Sequence, residues 1–473
     1  MVKQLLRRKF LEHILEDIDI EHHRLHRTLN AFDLTVLGIG AVIGVGIFVL
    51  TGAASARFAG PGVILSFVIA GAACAFAALC YAELASSIPV AGSAYNYAYA
   101  TMGEMIAWII GWDLILEYVV ACIAVSIGWS GYFVNILKAV GIHIPAWCSS
   151  APGTVPGAVI NLPAIGILLL LTCILVIGIK ESARFTSVMV FIKLVTVLVF
   201  ILVGISHVTP ANWSPFMPFG FKGVMAGAAI VFFAYIGFDA ISTAAEETKD
   251  PQRNMPIGII LSLAICTILY IAVAAVLTGM VSYKELNHPA PVAHALMLTG
   301  FRWGSALVSA GALAGITSVL LVMLMGQPRI FFSMSRDGLL WPWISKVHPR
   351  FRTPYISQIL TGITVASFAG FIDIGTAAEL CNIGTLFAFT IVCAGVVVLR
   401  QTHPELTRSF RCPLVPLVPL LGMVFCAWLM LSLPKITWIR FVVWLLTGFC
   451  IYFFYGIRHS RMARPEYRKG GGI

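Results

Sequence analysis

The sequence predicts an all-α polytopic membrane protein with 12 transmembrane helices. Hydrophobic residues make up 59% of its 473 positions, charged residues only 11%, and the apolar residues gather in runs of membrane-spanning length. A soluble domain is about a quarter charged. With a mean hydropathy of +0.93, a water-soluble chain of this length would expose apolar surface on an aggregating scale, so the surplus faces lipid. Twelve spans of about 20 to 24 residues, as a hydrocarbon core of about 30 Å requires, occupy over half of the chain. Short loops remain, and no separate soluble domain.

In order, the apolar runs place spans near 34–57, 62–88, 104–137, 160–179, 184–206 and 220–246. A second set follows near 256–280, 301–335, 355–372, 376–399, 413–432 and 437–457. With the N-terminus inside, 23 of the 31 Lys and Arg fall on the inner side and seven on the outer, and Lys193 lies within a span. That asymmetry predicts a multi-pass protein of the cell (inner) membrane with both termini cytoplasmic. It also explains the basic balance without nucleic acid, because the cations sit in loops between apolar runs. The charged start lacks the apolar core of a signal peptide. Residues 1–32 form a cytoplasmic segment in which Leu5, Leu6, Phe10, Leu11, Ile14, Leu15 and Ile18 recur at helical spacing beside Arg7, Arg8, Lys9 and Glu12. An amphipathic helix on the inner surface is expected. Of 11 cysteines, only Cys148 falls outside, and no Cys or His spacing suits a metal, so neither a disulfide framework nor a metal or cofactor site is expected.

Span 1 carries Gly38-Ile-Gly-Ala-Val-Ile-Gly-Val-Gly46, four glycines in nine residues at mid-membrane depth. A helix-packing face accounts for Gly40 and Gly44 alone. Span 6, however, reads Ala229-Ile-Val-Phe-Phe-Ala-Tyr-Ile-Gly-Phe-Asp239, with Gly237 and an acid in mid-run. It opens the second set of five spans as span 1 opens the first. Residues 33–206 and 220–399 thus form two five-helix repeats, and 400–473 add helices 11 and 12 with a cytoplasmic tail. An odd number of spans per repeat inverts one against the other. Broken helices at depth free backbone N–H and C=O groups, tolerable where they line a cavity or meet a ligand. The start of an outer half-helix suits a carboxylate and the end of an inner one suits an ammonium. One site with both ends fits a zwitterionic L-amino acid.

The run from Gly38 to Gly52 resembles the span 1 signature of the amino acid-polyamine-organocation (APC) superfamily. Phe238-Asp-Ala-Ile-Ser-Thr-Ala-Ala-Glu-Glu-Thr-Lys-Asp-Pro-Gln-Arg-Asn-Met-Pro256 is similar to the span 6 to 7 signature of its cationic amino acid transporter branch. The resemblance covers nearly the whole chain and implies the leucine-transporter fold, five plus five inverted helices and two more. It implies secondary active transport of small neutral or cationic L-amino acids by alternating access, not catalysis. Proton-coupled symport is expected, with exchange and sodium symport as alternatives. It places substrate contacts at Val42, Ile43, Gly44, Val45, Gly46, Ile47, Phe233, Ala234 and Ile236, with Phe233 also the outer lid. Val45 stands where many relatives carry Ser or Thr, so backbone N–H groups of Val45, Gly46 and Ile47 must suffice for the carboxylate. The sequence does not address whether a small membrane-protein subunit is a partner.

Charges inside spans narrow the roles. Lys193 lies about ten residues, or about 15 Å, into span 5, where a lysine costs about 2.5 to 3.5 kcal/mol and calls for a partner or a titrating role. In the family it stands where sodium-coupled relatives bind a cation, which makes it a coupling candidate; Thr317 and Ser318 are the sodium-ligand alternative. Glu117 in span 3 is either a counter-ion for a cationic substrate or a structural acid. Asp239 is assigned to coupling and to stabilising its break, and Met323 borders the side-chain pocket or packs as core. Asp113 and Glu83, nearer the inner interface, are expected to pair with loop arginines.

Rival classes find no support. Gly128-Trp-Ser-Gly131 matches a serine-nucleophile pattern, but all 11 His residues lie in loops, tails or span ends. Gly38-Ile-Gly misses the dinucleotide fingerprint, and no Walker A lysine occurs. A channel, the remaining rival, more often repeats a pore-lining element around an axis.

Overall fold

The computed structural model describes residues 28–88, 93–177, 183–349 and 353–463. The amphipathic segment expected at Leu5–Ile18 lies outside them. Among the described residues the fold is helical throughout, and the β pairing is confined to two isolated bridges, Leu29 with Thr248 and Ser149 with Asn161.

Helix lies in each of the twelve predicted stretches. The principal helices are α1 Ala31–Val42, α2 Val63–Ser87, α3 Glu104–Ala139, α4 Leu162–Ile177, α5 Ala183–Ile205 and α6 Gly220–Val231. They continue with α7 Pro251–Met280, α8 Arg302–Arg336, α9 Tyr355–Ala369, α10 Ile374–Thr402, α11 Leu417–Leu431 and α12 Lys435–Ile451. Among the described residues, eight helical stretches are long and apolar enough to cross a membrane, while α1, α4, α9 and α11 are shorter apolar helices. Ser93–Thr101 and Pro291–Leu298 are further short helices that apolar runs did not announce.

Local chemistry explains where α1 starts. The Asn30 side chain accepts from the N–H groups of Phe32 (2.8 Å) and Asp33 (3.1 Å), and the Asp33 carboxylate accepts from Asn30 N–H at 3.0 Å. This reciprocal box satisfies donors that a helix start leaves free. The outward faces tell a different story. On α5, Phe191, Leu198 and Leu202 stand exposed, as do Ile439, Val443 and Leu446 on α12. Such faces are stable in hydrocarbon and not in water. Inside, α3 and α8 pack on the broken segments that follow α1 and α6, so the site lies at the centre of the bundle.

Candidate functional site: paired helix breaks

Both predicted interruptions are real. After Val42, Ile43 is extended (φ −73°, ψ 104°), and a wide π-helical turn restarts at Gly46–Leu50. After α6, a tight turn Phe232–Tyr235 leads to extended Ile236 (φ −62°, ψ 133°). Gly237 follows with φ +120°, a backbone region closed to side-chain-bearing residues, and a 3₁₀ segment, Asp239–Glu247, resumes the path.

The two breaks touch reciprocally. A Cβ on Gly46 would overlap the backbone of Ala234, and one on Gly237 would press on the Ala41 carbonyl. Glycine at these two points lets unwound backbone meet unwound backbone. The groups freed there find partners. Tyr270 of α7 shares its hydroxyl between the carbonyls of Val42 and Ala234, both at 2.9 Å. Asn382 of α10 donates to Ala229 O at 2.7 Å and Ile230 O at 3.2 Å. Asp239 accepts from Gly237 N–H at 3.2 Å. Neither restart, at Gly46 or at Asp239, has a side-chain cap, and the first N–H groups of a helix have no acceptor within it.

Between the breaks lies a cavity of about 10 Å³, room for about one water molecule. The state is therefore closed around its centre. Val42, Gly44, Val45, Gly46, Phe233, Ile236 and Met323 line it, joined by Ala41 of α1, Ala121 and Val125 of α3 and Val319 of α8. Ile43 and Ile47 are buried but do not line it, and Ala234 backs Gly46. The last four lining residues were missed, although the spacing of three of them carried a signal. Val319 lies one turn from Met323, and Ala121 and Val125 continue the helical stripe that begins at Glu117.

Glu117 itself does not reach the cavity. It is buried on α3, where its carboxyl group meets the Thr385 hydroxyl and faces Asp113 and Asp239. Lys193 is fully buried, and its ammonium donates to Gly40 O at 2.5 Å, two residues before the end of α1. Its stem lies on Gly315 of α8. The hydroxyls of Thr317 and Ser318 donate to their own helix, at Leu313 O (2.8 Å) and Gly315 O (3.1 Å). Thr317 also accepts from the Trp129 indole at 2.9 Å.

The two acids expected to pair with arginines separate. Glu83 takes a two-pronged contact from Arg400 (2.9 and 2.7 Å), an ion pair with Arg408 (3.3 Å) and the Cys412 N–H (2.7 Å). Asp113 gains no arginine, contrary to expectation. Both arginines are committed to Glu83, and neither Asp113 oxygen has a hydrogen-bond partner among the described residues. The serine of the Gly128–Gly131 run, Ser130, donates to Asn161 Oδ1 at 2.7 Å, a helix-packing contact.

Known proteins share this architecture in sequence. The amino acid permease family model matches residues 29–455. The chain is 54% identical to a methylthioribose transporter of Bacillus subtilis, over 97% of this chain and 99% of that one. It is 51% identical to the branched-chain amino acid permease BcaP of the same organism, over 93% and 95%. With the vacuolar cationic amino acid transporter 4 of Arabidopsis thaliana it shares 38%, over 85% and 68%. A glycine-broken first helix that meets a second break at Gly237, in a chain whose residues 29–455 match the amino acid permease model, makes this protein a member of the amino acid permease family of the APC superfamily.

Proposed function

We propose that the chain imports a small neutral L-amino acid by alternating access at the paired breaks, with the proton as coupling ion. The observation that carries the reading is the cavity itself. Apolar side chains line it, and the uncapped restart of the first helix supplies N–H groups for a carboxylate. Glu117 stands outside this lining, which favours a neutral side chain over a cationic one. The relative named as a branched-chain amino acid permease supports the same class.

Lys193 is the coupling residue in this scheme. Its ammonium ties the inner half of the first broken helix to α5 and lies along α8, so loss of the proton releases α1. Loading and release then bias the two access states. Asp239 shapes the pivot. The chain crosses the cell membrane twelve times with both termini cytoplasmic, its two five-helix halves inverted. Exchange and sodium symport are the competing modes.

A second reading has one observation behind it. Met323 and Val45 suit a thioether as well as an alkyl group, and one close relative is named a methylthioribose transporter. The test is uptake of labelled leucine, lysine and methylthioribose into proteoliposomes under an inward proton gradient. Leucine uptake should saturate, collapse with a protonophore and proceed without sodium. Its decarboxylated amine should bind tenfold or more worse, since charged hydrogen bonds contribute about 1.5–3 kcal/mol. Equal binding of amine and amino acid, together with methylthioribose uptake, would transfer the assignment to the sugar. Lysine uptake sensitive to Glu117→Gln would instead restore the cationic class.

A further inference from the structure

A second cavity, of about 340 Å³, lies far from the breaks, where the C-terminal end of α8 meets the chain that follows α12. Its size is that of a small-molecule pocket. Arg336, His459 and Arg461 all line it, and no carboxylate does among the described residues. The Arg336 Nε is buried without a hydrogen-bond partner among the described residues. A buried N–H left unanswered is costly unless an acceptor arrives.

The walls are organised to hold one. His459 Nδ1 pairs with Tyr455 O at 3.0 Å, which leaves Nε2 as its free ring nitrogen. The His459 and Tyr455 rings stack at 4.2 Å, and Trp341 supports Tyr455 at 5.2 Å. Ser335 bonds Trp341 O at 2.9 Å and Ser345 Oγ at 3.2 Å, shaping the opposite wall. Arg461 N–H donates to Asp337 O at 3.0 Å and so pins the segment after α12 to the end of α8.

We infer that this cavity is a binding site for a phosphate group, presented by an anionic lipid headgroup or by a soluble phosphate. Guanidinium forks match phosphate oxygens two at a time, while the hydroxyls of Ser335 and Ser345 hold the wall itself, donating to Trp341 O and Pro342 O. Arg336 ends the helix whose Val319 and Met323 line the transport cavity about 20 Å away. A bound phosphate would therefore clamp the end of α8 to the end of α12.

The full-length chain separates the two sources in two arms. In detergent, thermal stability is read against inorganic phosphate and against chloride at matched ionic strength. In native mass spectrometry, retention of phosphatidylglycerol is compared with that of phosphatidylcholine. One arm should respond, and Arg336→Gln and Arg461→Gln should each weaken that response about tenfold. Arg458→Gln, an exposed neighbour outside the lining, should leave it within about twofold. If Arg336→Gln fails to fold, the exposed Arg461 decides. No response in either arm, or equal losses in all three variants, overturns the assignment.

Discussion

Neither break restarts under a side-chain cap, whether at Gly46 or at Asp239, but at the second a carboxylate, that of Asp239, takes the N–H of Gly237 within the break itself. The incoming ends are alike, since one tyrosine, Tyr270, satisfies a carbonyl of each. The difference lies in the outgoing ends. An N–H taken by a built-in carboxylate has no use for an external anion, while the free N–H groups of a restart at mid-membrane depth are costly without an acceptor. In the proposed transport cycle the pair divides labour, with the substrate carboxylate at the first break and a built-in carboxylate at the second.

Filling the uncapped break should have the largest effect. Gly46→Leu would place a branched side chain where Ala234 backbone already lies, and a rigid neighbour of that kind gives way only by displacement. Uptake should fall about a hundredfold or more, with the variant still monodisperse by size-exclusion chromatography. Substantial residual uptake would show that the breaks do not close on each other in the working cycle.

Much of this centre was legible from residues alone. Four glycines in nine, Gly237 and Asp239 in mid-run, and a lysine at mid-span each violate what a plain membrane helix allows, and each marks a real feature. What escaped depends on which faces of distant helices meet. A tyrosine in an apolar helix announces that its hydroxyl needs a partner, but not that Tyr270 reaches two carbonyls on two different segments. The expected arginine partner of Asp113 failed for a similar reason. Arg400 and Arg408 converge on Glu83 because of how the end of α10 and its following loop pack, which spacing does not reveal. The stripe Glu117, Ala121 and Val125 was visible; that the cavity ends at Ala121 was not.

An intermediate effect is expected at Lys193, which holds the uncapped helix from its other side. Lys193→Ala removes the donor to Gly40 O and leaves that carbonyl unpaired, at a cost of about 1–3 kcal/mol. Substrate affinity, read by equilibrium binding, should stay within about tenfold, yet accumulation driven by a pH gradient should vanish. A variant that still concentrates substrate, or wild-type uptake that needs sodium, would move coupling to Thr317 and Ser318.

The smallest effect distinguishes an acceptor from a charge at Asp239. Asparagine caps helix starts about as well as aspartate, because its amide oxygen accepts the same N–H. Asp239→Asn thus keeps the Gly237 contact and removes the ionisable group. If the second break needs only an acceptor, uptake and its pH dependence should stay within about threefold of wild type. Asp239→Ala should cost far more, since the Gly237 N–H would then be buried unpaired, a loss of about 1–3 kcal/mol. Two results would break the division of labour between the breaks. If both substitutions are equally severe, the charge matters and Asp239 joins Lys193 in coupling. If both are mild, the second break holds without its carboxylate, and the first break loses the contrast that marks it as the substrate's anchor.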